Sequence, residues 1–207
     1  MSWLGMHEEE EGVGGSTRVW HDTFTESVST LITNHTPDIG TSYPLGRTIN
    51  NTAMSDNNPN MTVNGVLNYG NVGGPIFDVG VVGFRALLTM ALLPAAALSW
   101  RYGFRMNYAA GNRGWRVNYS TVGTPNIHIL DPANVNRGTY NVTLSVGDII
   151  QIIDTGTNDL GWLTVYVNGV LVLTCTVTGS VETYTEHSVW INSNATRLDD
   201  LEIWTLE

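Results

Sequence analysis

The chain contains no lysine. All nine of its basic residues are arginine, set against nineteen acidic ones in 207 residues, for a formal net charge of -10. That balance opposes an unaided approach to a phosphate backbone or an anionic membrane surface, so nucleic acid is not an expected partner. The single cysteine, Cys175, excludes an internal disulfide and a Cys-rich zinc site. It sits mid-strand among apolar neighbours, where a thiol is inert. Charged residues make up only 14% against 42% hydrophobic, too apolar a mixture for disorder. The opening residues, Met1 to His7 followed by Glu8 to Glu11, lack the basic and apolar regions of a secretory signal, and none is expected. One long apolar run exists, Val79 to Trp100, but Arg85 and Pro94 interrupt it. Val82, Phe84, Ala86, Leu88 and Met90 alternate there with Gly83, Arg85 and Thr89, the pattern of a buried strand, so no membrane insertion is expected.

What the chain does have is period two. Residues 1–17 combine the acidic run with Gly12, Gly14 and Gly15 and read as a flexible leader or docking arm; the domain is expected over 18–207. Trp100, Tyr102, Phe104, Met106 and Tyr108 alternate with Arg101, Gly103, Arg105 and Asn107, which predicts a strand with a core face and a wet face. After the Gly111 to Gly114 turn, Trp115, Val117 and Tyr119 alternate with Arg116, Asn118 and Ser120, and a hairpin would match the two faces. Further on, Asn168-Gly169 favours a type I′ turn pairing Val167 with Val170 and Val165 with Val172. Both faces of that hairpin are apolar, which predicts a place inside a sheet rather than at its edge. No stretch carries a helical period with caps. The expected fold is all-β: a two-sheet antiparallel β-sandwich.

The order of features carries a resemblance. An aromatic strand with Asp22 and Phe24, then His35-Thr36-Pro37-Asp38-Ile39-Gly40, Phe104-Arg105, Val146-Gly147-Asp148, Leu163 to Leu173 with Val167-Asn168-Gly169-Val170, and a closing Arg197 to Ile203 strand together resemble the concanavalin A-like lectin/glucanase superfamily. The laminin-G-like jelly rolls of bacterial surface proteins and phage virions are the most similar branch. The resemblance covers about residues 18–207 and implies a curved jelly roll with neighbouring termini. Its members bind glycans, hydrolyse them or serve as structural modules. The glucanase branch carries a Glu-x-Asp-x-Glu strand, which this chain lacks, and the leader's glutamates have no rigid sheet to hold two carboxyls at the ~5 Å a retaining hydrolase needs. A Gly-x-Ser-x-Gly elbow is absent, and the five histidines are scattered without zinc-site spacing.

The wet face of the predicted hairpin is the candidate ligand site: Arg101, Arg105, Asn107, Arg116 and Asn118, with Trp115 beside them to stack on a sugar ring. Guanidinium and amide groups offer planar, multi-donor arrangements that suit sugar hydroxyls, uronates or a carboxylate-bearing partner. The alternative is a hydrated face whose arginines pair with the abundant Asp and Glu. Asp154, Asn158 and Asp159 place three oxygen-bearing side chains in one short loop, a candidate calcium site, against the alternative of a plain turn. No other cofactor is expected.

Taken together, these features predict a noncatalytic sandwich on a virion surface, as a capsid decoration or a fibre or spike component. It would dock on other virion proteins through the leader, form a homo-oligomer and contact a surface glycan. A secreted or cell-surface carbohydrate-binding module and a glycan-cleaving enzyme are the alternatives.

Overall fold

The computed structural model describes residues 16–26, 28–44, 47–49, 54–55, 61–63, 66–67, 74–92, 99–109, 111, 114–155, 161–177, 184–191 and 197–206. The leader expected over 1–17 falls almost wholly outside them. The first half of the chain supplies β1 (Arg18–Asp22), β2 (Thr30–Leu31), β3 (Thr48–Ile49), β4 (Met54–Ser55), β5 (Thr62–Val63), β6 (Gly74–Asp78), β7 (Phe84–Leu92) and β8 (Ser99–Met106). The second half adds β9 (Trp115–Ser120), β10 (Asn126–Leu130), β11 (Asn136–Asn141), β12 (Ile149–Asp154), β13 (Gly161–Val167), β14 (Val170–Val177), β15 (Glu186–Ile191) and β16 (Arg197–Thr205). Among the described residues the only helical element is one 3-10 turn, Ile32–Asn34.

These strands form an all-β antiparallel sandwich. A six-stranded sheet runs β1-β16-β7-β12-β13-β14, and an eight-stranded sheet runs β11-β10-β9-β8-β15-β6-β3-β4; β2 and β5 make a small separate pair. Alternation along each strand decides which side chains meet between the sheets. From the first sheet come Trp20, Phe84, Ala86, Leu88, Met90, Ile150, Ile152, Leu163, Val165, Leu201 and Ile203. Trp100, Tyr102, Phe104, Trp115, Val117, Ile127, Ile129, Val189 and Ile191 face them from the second. The apolar run before Trp100 is thus a central strand: β7 lies between β16 and β12 with four side chains fully buried. No helix is long and apolar enough to cross a membrane among the described residues. The segment after β1 is held by a buried polar knot. Asp22 accepts from the Tyr43 hydroxyl and the Phe24 N–H at 2.8 Å each, and His35 bridges Asp22 and Glu26, also at 2.8 Å. Those two carboxylates outweigh burial and hold the His35 imidazolium above its ordinary range.

Three local expectations need correction. The Asn168-Gly169 turn does pair Val167 with Val170, with positive φ at both turn residues, but a bulge then slips the register so that Val165 faces Leu173 rather than Val172. The hairpin is also not interior: β14 ends its sheet, and Val170 and Leu171 are exposed. The third concerns β8. Between the pairs Gly103 with Ser188 and Met106 with Glu186, β8 advances one residue more than β15, and Arg105 is held at φ 50. This bulge inverts the alternation. Met106 leaves the expected core face and joins Ile49, Ile76 and Tyr108 in a small cluster on the opposite side of the sheet.

Candidate functional site

Because the eight-stranded sheet is antiparallel and its register is known, its outer face can be read across the strands. One row runs Trp190, Arg101, Asn118, His128, Thr139 on β15, β8, β9, β10 and β11. The next runs Ile76, Ser188, Gly103, Arg116, Leu130, Asn136 on β6, β15, β8, β9, β10 and β11. Where the rows cross β8, Gly103 contributes no side chain, and a hollow opens there, lined by Ile49, Arg101, Gly103, Arg116, Ser188 and Trp190. It is shallow: the space it encloses is about 10 Å³, room for roughly one water-sized group. A Cβ on Gly103 would fill its floor, lying 3.0 Å from the Met106 sulfur and 3.4 Å from the Ser188 hydroxyl.

The hollow is polar and cationic. Arg101 lies over the Trp190 ring with its guanidinium carbon 4.6 Å from the centroid, a stacking that fixes the guanidinium plane. Arg116 is braced by the Asp131 carbonyl at 3.0 Å and the Asn134 side-chain oxygen at 2.7 Å. Burial, and then the charge of Arg116, lower the Arg101 pKa to about 10. His128, whose ring nitrogen lies 3.3 Å from the Asn118 amide nitrogen, is lowered as well, by burial and then by Arg101. Arg101 Nε, Asn118 Oδ1 and Trp190 Nε1 are buried and find no hydrogen-bond partner among the described residues. Buried donors and acceptors left in that state favour any ligand that satisfies them.

The six residues expected to form the site therefore separate. Arg101, Arg116 and Asn118 meet on the outer face. Asn107 lies just past the bulge, half-buried and outside the hollow. Arg105 is not on a wet face: it is 1% exposed and points between the sheets, where Nε and Nη2 donate to the Asp154 carboxylate at 2.5 and 2.6 Å. The β8 bulge sends it there, and a buried guanidinium persists only with such a partner. Trp115 is also unavailable to a sugar, being 1% exposed inside the core cluster. Asp154, expected as a calcium ligand, is fully buried and bound to Arg105, whose positive charge repels a cation; Asn158 and Asp159 lie outside the described residues.

Sequence reasoning missed Trp190, Ser188 and His128. Trp190 was legible as a strand residue, and His128 alternates with Ile127 and Ile129, but only cross-strand register places them beside Arg101. The same holds on the other sheet, where β1 and β16 bring ligand-type atoms of His21, Asp200 and Glu202 within 4.8 Å of one another. Their donor set suits a divalent cation, yet His21 already lies 3.2 Å from Asp200 and Arg18 lies 3.3 Å from Glu202, supplying positive charge there.

Comparison with known proteins places the fold. The GH43 protein BlXynB of Bacillus licheniformis aligns with 90% of this chain and 39% of its own at 10% identity and a TM-score of 0.55. Carbohydrate-binding module CBM66 of Bacillus subtilis aligns over 90% of this chain and 92% of its own at 10% identity and a TM-score of 0.40. The Caenorhabditis elegans galectin LEC-6 aligns over 62% and 88% at 9% identity and a TM-score of 0.46. No family model and no curated protein matches the chain. At such identities the likeness is one of architecture: the chain has the jelly-roll fold shared by lectin-like, carbohydrate-binding and glycosidase-associated domains.

Proposed function

We propose that this protein is a noncatalytic glycan-binding module, its ligand lying across the outer face of the eight-stranded sheet at the Gly103 hollow. One observation carries the proposal: Arg101, Arg116 and Trp190 line a hollow floored by a glycine, with Asn118 beside Arg101 in the same row, and Arg101 Nε, Asn118 Oδ1 and Trp190 Nε1 find no hydrogen-bond partner among the described residues. The neighbours in fold include galectins and carbohydrate-binding modules, which is consistent with that use but is a matter of fold alone. Binding is favoured over hydrolysis because no carboxylate is among the lining residues, whereas glycosidases need two carboxyls about 5 to 9.5 Å apart. The polar groups bear the ligand contacts. Trp190 is 6% exposed with Arg101 on its ring, so it supports the guanidinium and does not serve as a stacking platform.

The finer reading is a virion surface protein, a decoration or fibre component held by residues 1–17 and assembled as a homo-oligomer. Its supports are the Asn-, Thr- and Gly-rich composition and the acidic, glycine-bearing sequence of the leader. The exposed Val170 and Leu171 on the β14 edge offer apolar surface to a second copy. Glycan-array binding lost on replacing Gly103 with valine, in a variant of unchanged circular dichroism, is the expected result. Absence of any glycan signal from the folded protein would remove the binding reading, and release of reducing or unsaturated ends from polysaccharides would replace it with an enzyme. Mass spectrometry of purified particles tests the virion assignment.

A further inference from the structure

β1 and β16, the first and last strands, pair at one end of the six-stranded sheet and bring three metal-ligating side chains to its outer face. His21 stands opposite Glu202 in their register, and Asp200 precedes Glu202 by two residues, so period two puts both carboxylates on one side. His21 Nε2 lies 3.2 Å from Asp200 Oδ1 and 3.8 Å from Glu202 Oε1, and one ligand atom of each residue falls within 4.8 Å of the others. Donors bound at ~2.0–2.2 Å to a tetrahedral ion stand roughly 3.4 Å apart. The spacing is that of ligands around one small cation.

Their contacts fall short of a closed salt bridge. Asp200 Oδ1 is buried, yet it takes no hydrogen bond from the ring nitrogen beside it or from any other described residue. A buried oxygen in that state gains from a cation that it can share with its neighbours. The positive charge already present comes from the other end: Arg18 lies over the Trp204 ring, two residues further along β16, and reaches Glu202 Oε1 at 3.3 Å. Trp204 Nε1 donates to Glu202 Oε2 at 2.9 Å. These two contacts orient the carboxylate, as outer partners do around a metal ligand. The second ring nitrogen of His21, Nδ1, faces Asp38 at 3.9 Å. Three carboxylates, those of Asp38, Asp200 and Glu202, therefore stand here against the one guanidinium of Arg18.

We propose that His21, Asp200 and Glu202 bind a divalent transition-metal ion of the zinc type, which ties the first strand to the last. The imidazole selects the class: one nitrogen with two carboxylate oxygens suits zinc, whereas calcium and magnesium take oxygen donors. His21 binds through Nε2 as the neutral ring, its proton on the Nδ1 that faces Asp38. Because β1 is an end strand, an ion shared with β16 holds that edge in place, and it does so only in the folded chain. The site lies on the six-stranded sheet and stands independently of the glycan-binding reading.

The test titrates the full chain, freed of metal by a chelator, with Zn²⁺ and separately with Ca²⁺ by calorimetry. One Zn²⁺ per chain, bound roughly tenfold or more tightly than Ca²⁺, is the expected result. His21→Gln and Asp200→Asn should each weaken Zn²⁺ binding by roughly tenfold or more in variants of unchanged circular dichroism, while His7→Gln leaves it unaltered. At a hundredfold excess over its Kd, Zn²⁺ should raise the melting temperature by roughly 5–10 °C in the unaltered chain and far less in the two site variants. It should also slow amide exchange in β1 and leave the β13–β14 hairpin unchanged. Should a variant fail to fold, NMR of the unaltered protein decides: among the five histidines, the His21 ring should be the one that shifts as Zn²⁺ is added. A shift confined to other rings, Ca²⁺ binding as tight as Zn²⁺ binding, or Zn²⁺ binding indifferent to both site substitutions would overturn the proposal.

Discussion

Arg101 and Arg105 stand on the same strand at positions of the same parity, yet they end on opposite sides of the sheet. Arg105 lies between the sheets and carries its counter-ion with it, fixed by two hydrogen bonds to Asp154 on the facing sheet. Arg101 lies on the outer face against an indole and has none among the described residues. The first arrangement is closed, with every strong electrostatic demand met internally. The second leaves a demand that something from outside can meet. A buried charge with an internal partner is architecture, whereas one without a partner is a candidate for recognition.

The largest expected effect comes from opening the closed arrangement. Asp154→Ala strands the Arg105 guanidinium and should lower the unfolding free energy by about 3–5 kcal/mol, measured by chemical denaturation. Replacing both partners together, Arg105→Met with Asp154→Leu, should cost markedly less than the single change. An equal cost would show that packing rather than unpaired charge sets the effect.

Two histidines repeat the contrast and can be read through pH. His187, inside the sandwich and 2.6 Å from the Tyr102 hydroxyl, is lowered by burial to about 3, while its unfolded value is near 6.5. Between those values the unfolded chain binds a proton that the folded one refuses, so this group's contribution to stability falls as the solution is acidified from about pH 6.5 toward 3. The loss should be on the order of a few kcal/mol and should vanish in a folded His187→Gln variant. On the outer face the comparison sharpens differently: Arg101→Gln should raise the His128 titration, because it removes one of the two causes that lower it.

Gly114 supports the bulge that separates the arginines. It sits at φ +60, and a Cβ there would overlap the Phe104 and Arg105 carbonyl oxygens. Gly114→Ala should cost about 1–3 kcal/mol through strain and displacement of that backbone. The smallest expected effect is Arg101→Gln on stability, within about 0.5 kcal/mol, measured alongside the loss of ligand. A large destabilisation there would mean that Arg101, too, is architecture.

Much of the fold was legible because period two needs only neighbours in sequence. Phe84 to Met90 announced a buried strand, and Asn168-Gly169 announced its turn. Half of the candidate site was legible for the same reason, since Arg101, Arg116 and Asn118 have outward parity in their strands. The failures have one origin. A single extra residue in β8 reverses every later side chain, so Arg105 and Met106 exchanged the sides that alternation assigned to them. No residue type in Phe104-Arg105-Met106 signals a bulge; φ 50 at an arginine is imposed by its surroundings.

Composition and alternation by themselves determined an all-β sandwich, the strands that build it and a net charge of -10, because these depend on side-chain chemistry and local geometry. The tertiary structure alone decided which arginine became internal and which faced outward, and that Trp190 and His128 join the latter. Pairing register and bulges depend on how distant strands meet, and the free energy of a buried charge depends on what is placed beside it in space.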